Sequence, residues 1–193
     1  MSEANNWVVK DSTGNPAPLG LMGFGMTTVL LNLANAGFFS LNSMILAMGI
    51  FYGGIAQLIA GIMEWRKGNT FAATAFCSYG TFWLTLVWLI ESPGLKLPPD
   101  AKAMGSYFAI WGVFTLFLFI GTLRLNRTLQ FVFATLTILF ALLAAKEFSG
   151  ADWVGTVAGY EGIVCGSSAM YAGFAQVLNE VYGRTVLPLG AVQ

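Results

Sequence analysis

Behind Phe24 the sequence places Thr28, Asn32 and Asn35 at helical spacing, so that all four share one helix face within roughly 80° of arc. An amide at Gln57 and a carboxylate at Glu161 are further polar groups set within long apolar runs. Amides and hydroxyls in such surroundings can replace water around a solute, or hold neighbouring helices together. They do not form a catalytic set. The chain has no His, which removes imidazole from any triad, proton relay or metal site. Cys77 and Cys165 lie far apart in apolar segments and read as buried small side chains without a disulfide. Gly20, Gly23 and Gly25 imitate a phosphate loop, but no Lys-Ser or Lys-Thr pair follows and the stretch is apolar. No cofactor or metal is expected, and an enzyme is the weakest reading.

Composition says what must position these groups. Of 193 residues, 56% are hydrophobic and only 9% are charged, where a soluble domain is about a quarter charged. The fold class that follows is all-α and polytopic, with the lipid bilayer as solvent. Nine basic residues balance nine acidic ones, so no nucleic-acid partner is expected. No charge occurs between Asp11 and Glu64, a run too long for one crossing of ~20 helical residues. Six transmembrane helices per subunit are predicted, over about 19–39, 43–63, 70–90, 106–123, 128–145 and 154–178. They make a transmembrane domain of residues 15–180 between a polar tail, 1–14, and a C-terminal tail, 181–193.

Six crossings put both termini on one side of the membrane. That side carries Lys10, Arg66, Lys67, Arg124, Arg127 and Arg184, and the other Lys96, Lys102 and Lys146. The excess predicts cytoplasmic N- and C-termini in the cell's inner membrane. At the first entry, Asn15 can cap the free amides while Pro16 takes the first helical position. That makes Asn15 both a cap and part of a cytoplasmic mouth, where the positive end of the helix favours an anion.

Small residues predict how the spans meet. Gly155, Gly159, Gly162, Gly166, Ala169 and Gly173 form a seam on span six, with Gly49, Gly53, Ala60 and Gly61 on span two. The seam can serve close helix packing and leave width for a solute, and a larger residue at Ala169 is expected to narrow the substrate range. Thr74, Ser78, Thr81 and Thr85 make a hydroxyl stripe on span three, read either as a wet face or as back-bonding to the helix itself. Glu161 lies off the seam, either as an outer-mouth or proton-linked group or as an interfacial carboxylate.

Asn15-Pro16-Ala17-Pro18-Leu19-Gly20-Leu21 resembles the signature of the acetate uptake transporter family, the GPR1/FUN34/YaaH type. The likeness runs on through Met22–Thr28, Gly49–Gln57, Gly68–Phe71, Leu129–Phe133 and Val177–Glu180. It implies a ring of six subunits with a pathway through each, and a constriction at Phe24, Tyr79 and Leu136. It also implies passage of acetate and possibly succinate, either with protons through Glu161, Glu180 or a protonated substrate, or as passive anion conduction. The rival readings are a urea or amide channel and a non-transporting subunit of a membrane complex.

Overall fold

The computed structural model describes residues 13–91 and 97–192. The expected N-terminal tail lies almost wholly outside these residues, as does the middle of the proline-rich loop after Glu91.

Six long helices follow in order: α1 (Ala17–Asn35), α2 (Ser43–Arg66), α3 (Thr70–Glu91), α4 (Ala101–Thr122), α5 (Arg127–Ser149) and α6 (Asp152–Tyr182). Among the described residues there is no strand, only an isolated bridge between Asn126 and Ala191. Helices α1 to α5 are long and apolar enough to cross a membrane. Helix α6 is not one of them, because Glu161, Gln176 and Asn179 interrupt its apolar residues.

Local chemistry sets the ends. Asn42, Asp100 and Asn126 each accept a backbone amide at the start of α2, α4 and α5, and the Asn69 side chain accepts from Ala72 N at 3.2 Å at the start of α3. Gly150 and Gly183 stop α5 and α6 with φ of 66° and 61°, a region costly for other residues. Two expectations are corrected. Pro16, not Asn15, occupies the cap position of α1; Asn15 acts from one residue earlier, accepting from Ala17 N at 3.1 Å. Helix α1 also stops at Asn35 rather than near residue 39, because Gly37 turns left-handed at φ 88° and Asn42 starts the next helix.

Helix neighbours close a ring: α1 meets α2 and α6, α2 meets α3, α4 meets α5 and α5 meets α6, while α3 and α4 touch more sparsely. The glycine seam of α6 is the α1 contact. A Cβ on Gly166 would lie 2.7 Å from Gly25 O, and one on Gly25 would lie 2.7 Å from Gly166 O, so the two backbones approach as only glycines permit. Gly159 and Gly162 likewise face Asn35–Ala36 and Asn32. From Gly159 to Gly173 the seam therefore brings α6 against α1, while Gly155 faces Lys146 of α5.

Helix α2 opens into a π-helical stretch over Gly49–Ala56, a widened turn common at functional sites. Gly53 and Gly54 let Trp83 and Leu84 of α3 press against it, and Gly23 of α1 faces Tyr52 O on its other side. The hydroxyl stripe of α3 is not a wet interior face. Thr74, Thr81 and Thr85 are exposed on the outside of the subunit; Thr81 back-bonds to Cys77 O at 2.7 Å and Thr85 to Phe82 O at 2.9 Å. The outer surface is apolar, with Phe117 70% and Trp88 64% exposed, as lipid or a neighbouring subunit requires.

Candidate transport pathway

Three cavities sharing walls run through the interior of the ring. The first, about 670 Å³, opens where the chain enters and leaves the bundle, among Asn15, Lys67, Asn69, Asn126, Gln176 and Leu189. The last, about 470 Å³, opens at the opposite end between the α1–α2 connection and the α5–α6 turn, with Asn35, Leu41, Lys146 and Asp152 on its wall. Between them lies a cavity of about 20 Å³ lined by Phe24, Gln57, Phe76, Tyr79, Phe133 and Leu136, among others. It shares Phe24 and Leu136 with the 470 Å³ cavity and Leu21, Ala75, Phe76 and Phe133 with the 670 Å³ one.

The narrow cavity is built from four helices. Phe24 comes from α1, Gln57 from α2, Tyr79 from α3 and Leu136 from α5, and all four are buried. The Phe24 and Tyr79 rings stand 5.9 Å apart, and Tyr79 also meets Phe114 at 5.6 Å and Phe133 at 6.2 Å. The Tyr79 hydroxyl lies 2.9 Å from Thr115 Oγ1. Thr115 has one proton and donates it to Trp111 O at 2.7 Å, so Tyr79 is the donor of the pair. Gln57 follows directly on the π-helical stretch and is 1% exposed; its Oε1 finds no hydrogen-bond partner among the described residues.

Beyond Phe24, the α1 face predicted from its spacing lines the 470 Å³ cavity with Thr28, Asn32 and Asn35. The amides are already tied to the helix. Asn32 Nδ2 donates to Thr28 O at 2.9 Å, and Asn35 Nδ2 donates to Asn32 Oδ1 at 3.0 Å. Thr28 Oγ1 is buried without a partner among the described residues.

The 670 Å³ cavity gathers three helix starts. Asn15 before α1, Asn69 before α3 and Asn126 before α5 all line it. Asn15 Nδ2 donates to Gln176 Oε1 at 2.9 Å, joining α1 to the end of α6. Glu64, 2% exposed, also lines the cavity and accepts from Asn69 Nδ2 at 2.8 Å. The chain after α6 folds back over this opening. Asn179 Oδ1 accepts from Val186 N and Leu187 N at 2.6 and 3.0 Å, while Leu189 O and Gly190 O accept from Thr128 N and Arg127 N at 3.1 and 2.7 Å. The strap thus satisfies the free amides of α5 and puts Leu189 on the cavity wall.

Two sequence candidates stand apart from all three cavities. Ala169 is fully buried in the core and lines none of them. Glu161 lines none either; both its carboxylate oxygens are shielded and have no partner among the described residues. Sequence reasoning missed Asn69, Asn126, Glu64 and Leu189 as cavity residues. An Asn directly before an apolar helical run is a start signal that marks the first two; the strap carries no comparable signal.

The family pattern described as GPR1/FUN34/YaaH matches residues 3–189. The chain is 60% identical over 178 residues to the succinate-acetate/proton symporter SatP of Escherichia coli strain K12, covering 91% of this chain and 95% of that one. A relative in Saccharomyces cerevisiae, named ammonia transport outward protein 2, is 34% identical across 84% of this chain and 61% of its own. A solved structure, that of the bacterial acetate channel SatP, superposes with a TM-score of 0.91 at 59% identity, over 93% of this chain and all of the other. These close relatives are transporters or channels, not enzymes. With five apolar helices long enough to cross a bilayer and a match spanning nearly its whole length, the chain is a multi-pass membrane protein that belongs to the GPR1/FUN34/YaaH family.

Proposed function

We propose that this protein moves small carboxylates, acetate first and succinate with it, across the cytoplasmic membrane. The pathway runs through each protomer of a homo-hexamer. Helix α6 completes six spans with the five apolar ones, and both termini face the cytoplasm. The 670 Å³ cavity is then the cytoplasmic vestibule and the 470 Å³ cavity the outer one.

The observation that carries this reading is the meeting of Phe24, Tyr79 and Leu136 at a 20 Å³ cavity between two far larger ones. That volume holds about one water, so the neck must widen before acetate passes. Until it does, an apolar ring resists ions and bulk water. On the cytoplasmic side, the positive ends of α1, α3 and α5 and the charge of Lys67 draw an anion towards the opening. On the outer side Thr28 and Asn35 replace part of the lost hydration. The methyl end of acetate suits the apolar neck.

Uptake of labelled acetate by proteoliposomes tests the function. Uptake above that of protein-free vesicles, reduced by unlabelled succinate or propionate, is the expected result. Competition by urea but not propionate would favour a channel for neutral amides, and no uptake at all would leave a non-transporting subunit.

A further inference from the structure

We propose that Gly23 and Gly80 are positioning residues that set the width of the neck, and with it the largest carboxylate the protein admits. The inference rests on the transport reading above and names what fixes the size limit of that pathway. Each glycine is the chain neighbour of a neck residue, Gly23 preceding Phe24 and Gly80 following Tyr79. Both meet the same π-helical stretch of α2, backbone to backbone. A Cβ on Gly23 would lie 2.7 Å from Tyr52 O, and one on Gly80 would lie 2.9 Å from Gly54 O and 3.0 Å from Leu58 N. The two carbonyls belong to the stretch Gly49–Ala56, and the residue after it, Gln57, also lines the neck. Side chains of any size at positions 23 and 80 are therefore incompatible with the spacing seen here.

The order of residues on α1 shows how Phe24 is aimed. Successive residues turn by about 100° around a helix, so Gly23 and Gly25 point to nearly opposite sides with Phe24 between them. Gly23 faces α2, and a Cβ on Gly25 would lie 2.7 Å from Gly166 O of α6. Neighbouring main chains thus hold the Phe24 backbone on both flanks while its side chain enters the neck. On α3, Gly80 rests on α2 and Tyr79 is tied to Thr115 of α4. The six helices close a ring around the neck, so the spacing of adjacent helices sets its circumference and the room inside. A methyl carbon needs about 3.5 Å from its neighbours, so alanine at either glycine parts α2 from α1 or from α3 by about 0.5–1 Å. The neck, at about 20 Å³, has little room to begin with and gains the most in proportion; the vestibules, at about 470 and 670 Å³, already hold a larger acid. With glycine the ring stays tight, and the opening that passes acetate stops short of a branched acid.

The test compares labelled acetate with labelled 2-hydroxyisobutyrate, a branched acid whose hydroxyl slows its leak through lipid. Uptake is measured in proteoliposomes of the wild type, Gly23→Ala and Gly80→Ala, with protein-free vesicles as the baseline. Wild-type protein is expected to take up acetate well ahead of the branched acid. In either alanine variant the ratio of branched acid to acetate is expected to rise about tenfold, the discrimination that one methyl group carries in a close-fitting apolar site. A loss of folded protein lowers both uptakes together and leaves that ratio where it was, so the ratio separates positioning from mere packing. An unchanged ratio in a variant that still takes up acetate overturns the inference and leaves the transport reading intact. Wild-type uptake of the branched acid as fast as acetate does the same, and needs no variant to fold. No acetate uptake by the wild type overturns both.

Discussion

Tyr79 on α3 donates its hydroxyl proton to Thr115 on α4 across 2.9 Å. Those two helices touch sparsely, so this buried bond and the rings around it tie the ring closed at the level of the neck. Tyr79→Phe keeps the ring and loses the bond. It is expected to cost about 1 kcal/mol of stability, read as a lower melting temperature in detergent, with the barrier to acetate retained. Tyr79→Ala removes the ring as well and is expected to cost about 3–5 kcal/mol and to make the vesicles leaky to other small solutes.

The glycine contact between α1 and α6 makes a stability prediction independent of transport. A Cβ at Gly25 or Gly166 meets backbone oxygen at 2.7 Å, which only a shift of one helix can relieve. Gly166→Ala is expected to destabilise by about 1–3 kcal/mol, measured by thermal unfolding of the purified protein. An unshifted melting temperature would mean that the helices separate there at no cost.

At the vestibule where the termini meet, Asn69 caps α3 and also holds the Glu64 carboxylate at 2.8 Å. Asn69→Ala removes both interactions and leaves a buried acid without that donor, an expected loss of about 2–4 kcal/mol. Lys67→Ala is expected to raise the KM for acetate on that side with little change in the maximal rate, because it acts on arrival rather than on the neck. Initial rates across an acetate series separate the two effects.

The C-terminal strap is held by Asn179 through three hydrogen bonds, to Val186 N, Leu187 N and Leu187 O. Asn179→Ala is expected to loosen the strap, leaving the Tyr171 hydroxyl bond to Pro188 O at 2.8 Å as its tie to α6, and to widen the opening beside Leu189. Faster proteolysis after Gly183, with the helices left intact, is the readout.

Membrane character and most of the helical layout were legible because hydropathy and uncharged length report directly on the bilayer. The face Phe24, Thr28, Asn32 and Asn35 was legible for a similar reason: a 3.6-residue period needs no partner to be seen. The stripe on α3 had the same period and left two readings open; the back-bonded one holds, because a hydroxyl that bonds back to its own helix tolerates an outward position. Small residues were ambiguous in the same way. Ala169 and its glycine neighbours mark a contact, and only coordinates tell a helix contact from a lumen. Gln57, by contrast, owes its place to the π-helical turn before it, a backbone feature with no residue pattern of its own. The C-terminal strap depends partly on partners 61 and 63 residues away in the chain, Thr128 for Leu189 and Arg127 for Gly190, which no local reading reaches.

The central claim is that solute crosses each protomer between Phe24, Tyr79 and Leu136. Labelled acetate uptake by Leu136→Trp proteoliposomes tests it most directly, since the added ring fills a neck of about 20 Å³ while both vestibules stay open. Uptake reduced to the level of protein-free vesicles, in a protein that purifies with the same oligomeric state as the wild type, is the predicted result; undiminished uptake would contradict it.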